Sequence, residues 1–221
     1  MVTKDKYFVR YNILLLVLVS FYIFIVGWLP FENVINEIYN FTFTAIYIIA
    51  AKVITHKKNK KFFVYAGITI TLMWVSDILH LELLSIISSV FSIGFIVLII
   101  VLMLIRLAKS KNVGLLEFVE AINIYFLMGI VGSILFRIVF NHTPGESFNV
   151  ASEMINANTD LIYFSFVTIS TLGYGDISPI EPLAKSLAIF VSISGQLYLT
   201  MIIAILVGKY LSKQNNKTEP N

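Results

Sequence analysis

Six long stretches almost free of charge dominate this chain: Tyr11 to Leu29, Val34 to Thr55, Phe62 to Asp77, Leu83 to Leu107, Phe118 to Phe140 and Leu183 to Leu211. About 20 mostly apolar residues in a helix cross the hydrocarbon of a bilayer, where no water is present to satisfy an open backbone. Each stretch therefore predicts a membrane-spanning helix, the third being the shortest. Hydrophobic residues make up 58% of the chain and charged residues 13%, against roughly 45–50% apolar content in soluble domains. The net charge of +3 does not imply nucleic acid as a partner, because the basic residues lie between the spans rather than on a water-soluble face. Cysteine is absent, which excludes a disulfide framework and a thiol nucleophile.

Six crossings place both termini, the second-to-third loop and the fourth-to-fifth loop on one side. Fourteen of the sixteen lysines and arginines fall there, and Arg137 and Lys185 alone fall opposite. Positive residues favour the cytoplasmic face, so cytoplasmic termini in a cell membrane are expected. Lys4, Lys6 and Arg10 precede the first stretch as they would in a secretory leader. The apolar run is longer than the about 7–15 residues of such a leader, and an uncleaved first helix is expected. The lysines Lys57 to Lys61 are placed to meet anionic membrane lipid, a role that a topology signal explains equally well. Nine of the thirteen acids fall on the outer side. There they either concentrate cations at a pore mouth or simply populate translocated loops.

Between the fifth and sixth stretches, Asn141 to Pro182 holds turn formers, acids and one apolar run, Leu161 to Ile169. That run is too short to cross and predicts a re-entrant half-helix, with Asn158, Thr159 or Asp160 as candidate N-caps. It leads into T-I-S-T-L-G-Y-G-D, Thr168 to Asp176. A cation leaving water needs replacement oxygens, and a loop supplies them when successive carbonyls face one axis. An ordinary strand alternates its carbonyls, whereas Gly173 and Gly175 can take positive φ and turn them to one side.

The string closely resembles the T-V-G-Y-G-D signature of potassium channels. The sixth stretch, G-Q-L-Y-L-T-M-I-I-A-I-L-V-G-K-Y, is similar to the inner helix of small bacterial-type members. The resemblance spans the fifth stretch to the end, about half the chain. It implies an all-α membrane protein of six transmembrane helices, with a re-entrant pore helix and selectivity-filter loop between the fifth and sixth. One loop is a quarter of a ring, so a homotetramer is implied. Backbone carbonyls of Thr171, Leu172, Gly173 and Tyr174, with the Thr171 hydroxyl, would hold K+, and Gly175 would complete the filter. Asp176 would tether the filter to its scaffold. Leu172 stands where valine is usual, Tyr163 and Phe164 where many members have two tryptophans, and Val167 where some have glutamate. With Val167 there, Asp176 has no carboxylate partner from that position, and its tether is expected from Tyr163.

The implied organisation is a four-helix membrane domain at 1–112, a pore domain at 113–212 and a short polar tail at 213–221. After Leu211 about ten polar residues remain, fewer than a folded ligand-binding domain of roughly 50 residues needs. A gating ligand is then expected to act on the membrane part, on the filter, or through a separate regulatory protein. A voltage-sensing helix needs several regularly spaced cations, but Leu83 to Leu107 holds Arg106 alone. Weak or absent voltage dependence is therefore expected from the first four helices. Gly195 is either a gating hinge or a close-packing site in the sixth helix. Lys209 and Tyr210 read as interfacial anchors. Asp77, with His80 and Glu82 nearby, is a polar cap or a pH or cation sensor. Arg137 is expected to snorkel or to pair with an acid of the outer loop. His56 and His142 lack metal-ligand spacing. No enzyme motif and no cofactor are indicated; K+ is the permeant ion. The rivals to a potassium-selective channel are a weakly selective cation channel and a non-conducting transporter or scaffold.

Overall fold

The computed structural model describes residues 2–29, 34–54, 60–79, 81–110, 114–143, 147–150 and 157–218. Helices α1 (Val2–Phe24), α2 (Ile35–Ile54), α3 (Lys60–Leu79), α4 (Glu82–Lys109) and α5 (Leu115–His142) follow one another, α1 ending in a 3-10 turn, Val26–Trp28. A strand β1 (Phe148–Val150), the short helix α6 (Ala157–Ile169), a strand β2 (Ile177–Pro179) and the helix α7 (Pro182–Thr218) complete the chain. Among the described residues, six of the seven α-helices are long and apolar enough to cross a membrane, all except α6. The 13 residues of α6 rise about 20 Å at 1.5 Å each, short of a hydrocarbon core of about 30 Å. The expected spans are all present as helices, and the third is longer than its apolar run because Lys60 and Lys61 open it. His56, Lys57, Lys58, His80, Glu32, Glu146 and Glu153 lie outside the described residues.

Helix α5 is the centre of the bundle: α1 and α4 pack on one part of it, α6 and α7 on another, while α2 joins α1 and α3 joins α4. The larger core runs through α1, α2, α4 and α5, where Leu15, Ile46, Tyr47, Phe95, Ile99, Met103 and Ile124 are buried. A smaller core surrounds α6. Phe136 of α5, Phe148 of β1 and Phe164 of α6 form a triangle with ring centroids 4.7 to 6.0 Å apart. Edge-to-face and tilted pairs of this kind add to the stabilisation from burial itself. The Ser165 hydroxyl donates to the Gly129 carbonyl at 2.6 Å, locking α6 to α5.

Two features of the α6 region depart from the expectation. Strands β1 and β2 pair antiparallel, Asn149 opposite Ser178, a short ribbon that three-residue runs do not announce. Helix α6 begins at Ala157, so Asn158, Thr159 and Asp160 lie inside its first turn and are not its N-caps. Two of these side chains are engaged across the bundle instead. Asn158 accepts from Arg137 of α5 and donates to Asn36 of α2, both at 3.0 Å. Thr159 shares a hydrogen bond with the Tyr39 hydroxyl at 3.1 Å.

At the opposite end of the bundle a polar network joins four helices. Arg106 of α4 pairs with Glu120 of α5, and donates to the Val53 carbonyl of α2 at 2.8 Å. Asn12 of α1 donates to Glu120 at 3.5 Å, and Asn123 of α5 donates to the Asn12 carbonyl at 2.9 Å. Asn12, Glu120 and Asn123 are buried. Buried charge is tolerated where it is paired and hydrogen-bonded, and this acid meets both conditions. Beside it Lys209 of α7 donates to the carbonyls of Leu107 and Ala108 at 2.6 and 3.1 Å. A cation there meets the unpaired carbonyls and negative end of α4, a more specific placement than an interfacial anchor.

Candidate ion pathway

The end of α6 sets the course of the loop after it. The Leu172 amide donates to the Val167 carbonyl at 3.1 Å and the Thr171 amide to the Thr168 carbonyl at 3.1 Å. This pair of bonds is the helix-ending arrangement in which the residue just past the cap takes a left-handed conformation. Glycine usually holds that place; here it is Thr171, at φ 62°. A β-branched residue there carries backbone strain, a feature that concentrates at functional sites. The Gly173 amide donates to Val167 as well, at 3.3 Å.

Left-handed residues then recur at every second position. Thr171, Gly173 and Gly175 have φ of 62°, 57° and 80°, whereas Leu172 and Tyr174 between them do not have positive φ. Reversing the hand of alternate residues brings successive carbonyls, which a plain strand would alternate, towards one side. None of the carbonyls of Thr171 through Gly175 accepts a hydrogen bond from a described residue. All six residues from Thr171 to Asp176 are exposed in the single chain, including the large side chains of Leu172 at 60% and Tyr174 at 67%. Five oxygens are thus left available to water, to an ion or to another subunit.

Asp176 closes the loop. The Tyr163 hydroxyl, on α6, donates to its Oδ2 at 2.6 Å, and its Oδ1 accepts the Ile177 amide at 3.0 Å. The Tyr163 bond is the main reason that the Asp176 carboxyl lies below its usual range. The same bond, made to a carboxylate, pushes the Tyr163 phenol up to about 12. Val167 is buried on α6 and takes part through its backbone carbonyl.

From α7 come two further contacts. The Gln196 amide donates to the Thr171 hydroxyl at 3.1 Å; nothing in the local pattern singles Gln196 out except that it is polar within an apolar stretch. At Gly195 α7 packs tightly against the end of α6, for a Cβ there would stand 2.3 Å from the Ile169 carbonyl oxygen. It is a close-packing position in this conformation, and α7 is helical straight through it. Arg137 binds Asn158 rather than an acid among the described residues.

Residues 121–212 match the family model described as ion channel. That part of the chain is similar to the ion-channel family. The matched segment takes in most of α5, all of α6, the loop and α7 up to residue 212. A two-pore potassium channel of Arabidopsis thaliana is 32% identical over 109 residues, which is 49% of this chain and 35% of that protein. The chain therefore aligns with about a third of that relative's length. No solved structure matches. The relative's name agrees with the potassium-channel resemblance of the T-L-G-Y-G-D string, and the family match with an ion channel more broadly; with six apolar helices among the described residues the chain is a multi-pass membrane protein.

Proposed function

We propose that this chain is one subunit of a homotetrameric, potassium-selective channel in the cell membrane. Thr171 to Gly175 would form its filter, and K+ would be held by the carbonyls of Thr171, Leu172, Gly173 and Tyr174 and by the Thr171 hydroxyl. The observation that carries the reading is the alternation of positive φ at Thr171, Gly173 and Gly175 in a loop whose carbonyls accept nothing from the described residues. Helix α6 supports it, because its negative C-terminal end leads directly into that loop and favours a cation there.

Four loops around one axis give each ion a ring of oxygens in place of its hydration shell. The large exposed side chains of Leu172 and Tyr174 would be covered by the neighbouring subunits' pore helices. Asp176, held by Tyr163, would fix the outer end of the filter. The re-entrant course of α6, cytoplasmic termini and the division at 112 belong to the same proposal, supported by the 13-residue length of α6 and the lysine and arginine asymmetry. Bending of α7 at Gly195 would separate it from Ile169 and widen the pathway. With Arg106 committed to Glu120, the first four helices are expected to confer little voltage dependence.

Potassium and sodium flux into liposomes holding the purified protein, with Gly173→Asp and Tyr174→Ala as controls, tests the proposal. Strong potassium preference that disappears in both variants is the expected result. Equal fluxes of the two ions would replace it with a weakly selective cation channel, and no flux from a verified tetramer held open would reject a pore.

A further inference from the structure

At the end of the bundle opposite the Arg106 network, α2, α3, α4, α5 and the first turn of α6 line a half-open cavity of about 720 Å³. Its size falls within the range of small-molecule sites, about 300–1,000 Å³, and most of its walls are polar. Asp77 lies on the α3 wall and Arg137 on the α5 wall, while Ser88 and Ser89 of α4 are buried behind. Asn158 of α6 lines it too.

Two opposite charges thus share one cavity without pairing, since Arg106 with Glu120 is the ion pair present among the described residues. Each is steadied by one asparagine. Asn40 donates to Asp77 at 3.0 Å, and Arg137 donates to Asn158 at 3.0 Å. A guanidinium has five N–H donors and a carboxylate about four acceptor sites, so both keep capacity directed at a guest. An anion alone would face Asp77 as a like charge, and a cation alone would face Arg137. A molecule bearing both charges satisfies both walls through charge-assisted hydrogen bonds.

We propose that this cavity binds a small zwitterion, its oxyanion on Arg137 and its ammonium on Asp77. Such a pair of groups is offered free in solution by small amino acids and phosphoamines, and in a bilayer by an aminophospholipid headgroup. The occupant would touch the first turn of the same helix that carries the loop, through the Arg137 to Asn158 bond.

The test is thermal stability of the purified full chain, titrated with phosphoethanolamine, with inorganic phosphate alone and with ethanolamine alone. A second arm compares vesicles of phosphatidylglycerol with and without phosphatidylethanolamine. Saturable stabilisation by phosphoethanolamine, weakened about tenfold or more in Asp77→Asn and in Arg137→Gln, is expected of a solute site. Stabilisation confined to the phosphatidylethanolamine vesicles, and lost in the same variants, supports the site with a headgroup as occupant. Asp77 is exposed, so Asp77→Asn carries the test should Arg137→Gln fail to fold. Equal effects of phosphate alone or ethanolamine alone, equal responses in wild type and Asp77→Asn, or no response in either arm would overturn the proposal. Because the readout is binding and not flux, its failure is separable from failure of the channel reading.

Discussion

The two ends of the bundle solve opposite problems. At one end, Asn12, Glu120 and Asn123 are polar and buried, and each finds a partner within the chain, with Arg106 answering the charge of Glu120. Towards the other, Leu172 and Tyr174 are large and uncovered, and the carbonyls around them have no partner among the described residues. Ile189, Ile193, Leu197 and Met201 extend that condition down α7 as an exposed stripe at four-residue spacing. The first region pairs its buried charge within one subunit. The second has the composition of something finished by other copies, by lipid or by ions. The comparison teaches that polar burial and apolar exposure are read together: a chain that spends buried hydrogen bonds on fixing α1, α2, α4 and α5 leaves the loop after α6 and one face of α7 to be satisfied from outside.

The largest expected effect separates the two ends by function. Gly173→Ala puts a Cβ on a residue at φ 57°, which costs about 1–2 kcal/mol per chain. In the proposed four-chain ring the strain is repeated in every subunit, and the potassium-to-sodium flux ratio is expected to fall by about a hundredfold or more, roughly 3 kcal/mol of lost discrimination. The fold should persist, since open space surrounds that position; an unchanged ratio would break the comparison.

Glu120→Ala is the matching cut at the end whose charge is paired. It leaves Arg106 without its carboxylate, and loss of a buried charge partner destabilises by about 3–5 kcal/mol. Denaturant or thermal unfolding should record that loss, while any surviving protein keeps its ion preference. A changed preference with unchanged stability would show that the two regions are not distinct.

Acid sharpens the comparison at the loop. The Asp176 carboxyl lies below its usual range, chiefly through Tyr163. A lowered folded-state value means that the stabilisation is present above the ordinary carboxylate pKa and is lost as pH falls through the lowered one. In Tyr163→Phe the carboxyl should return upward, and the acid midpoint of flux, or of an NMR titration of Asp176, should move to higher pH. A midpoint that stays in place would remove Tyr163 as the cause.

The smallest effect is expected from Lys209→Met. It removes the cation from the end of α4, worth about 0.3–1 kcal/mol. Because Lys209 joins α7 to α4, the variant should alter the open fraction measured in single-channel records more visibly than it alters melting.

Much of this could be read along the chain, and the reasons differ by element. Spans were legible because a backbone in hydrocarbon has to satisfy itself, so long apolar runs become helices whatever their neighbours. The bond from Tyr163 to Asp176 was legible only through the resemblance, which implies a tether for Asp176 and, with Val167 in place of glutamate, points to Tyr163. The start of α6 was not: Asn158 and Thr159 look like local caps, and only the arrival of Arg137 and Tyr39 from other helices turns their side chains away. Nor was the left-handed Thr171, because threonine disfavours that conformation and accepts it here to close the end of α6.

By itself, then, the sequence determined the six apolar helices, the short seventh before T-L-G-Y-G-D and the two glycines that free the loop's backbone. These follow from chain-local physics, hydropathy and the absence of a Cβ. The tertiary structure alone decided that Glu120 meets Arg106, that Gln196 reaches Thr171, that Gly195 admits Ile169, and that Asp77 and Arg137 face one cavity. Each of those joins residues from different helices, and which helix faces which is set by packing, a property that no single stretch of the chain contains.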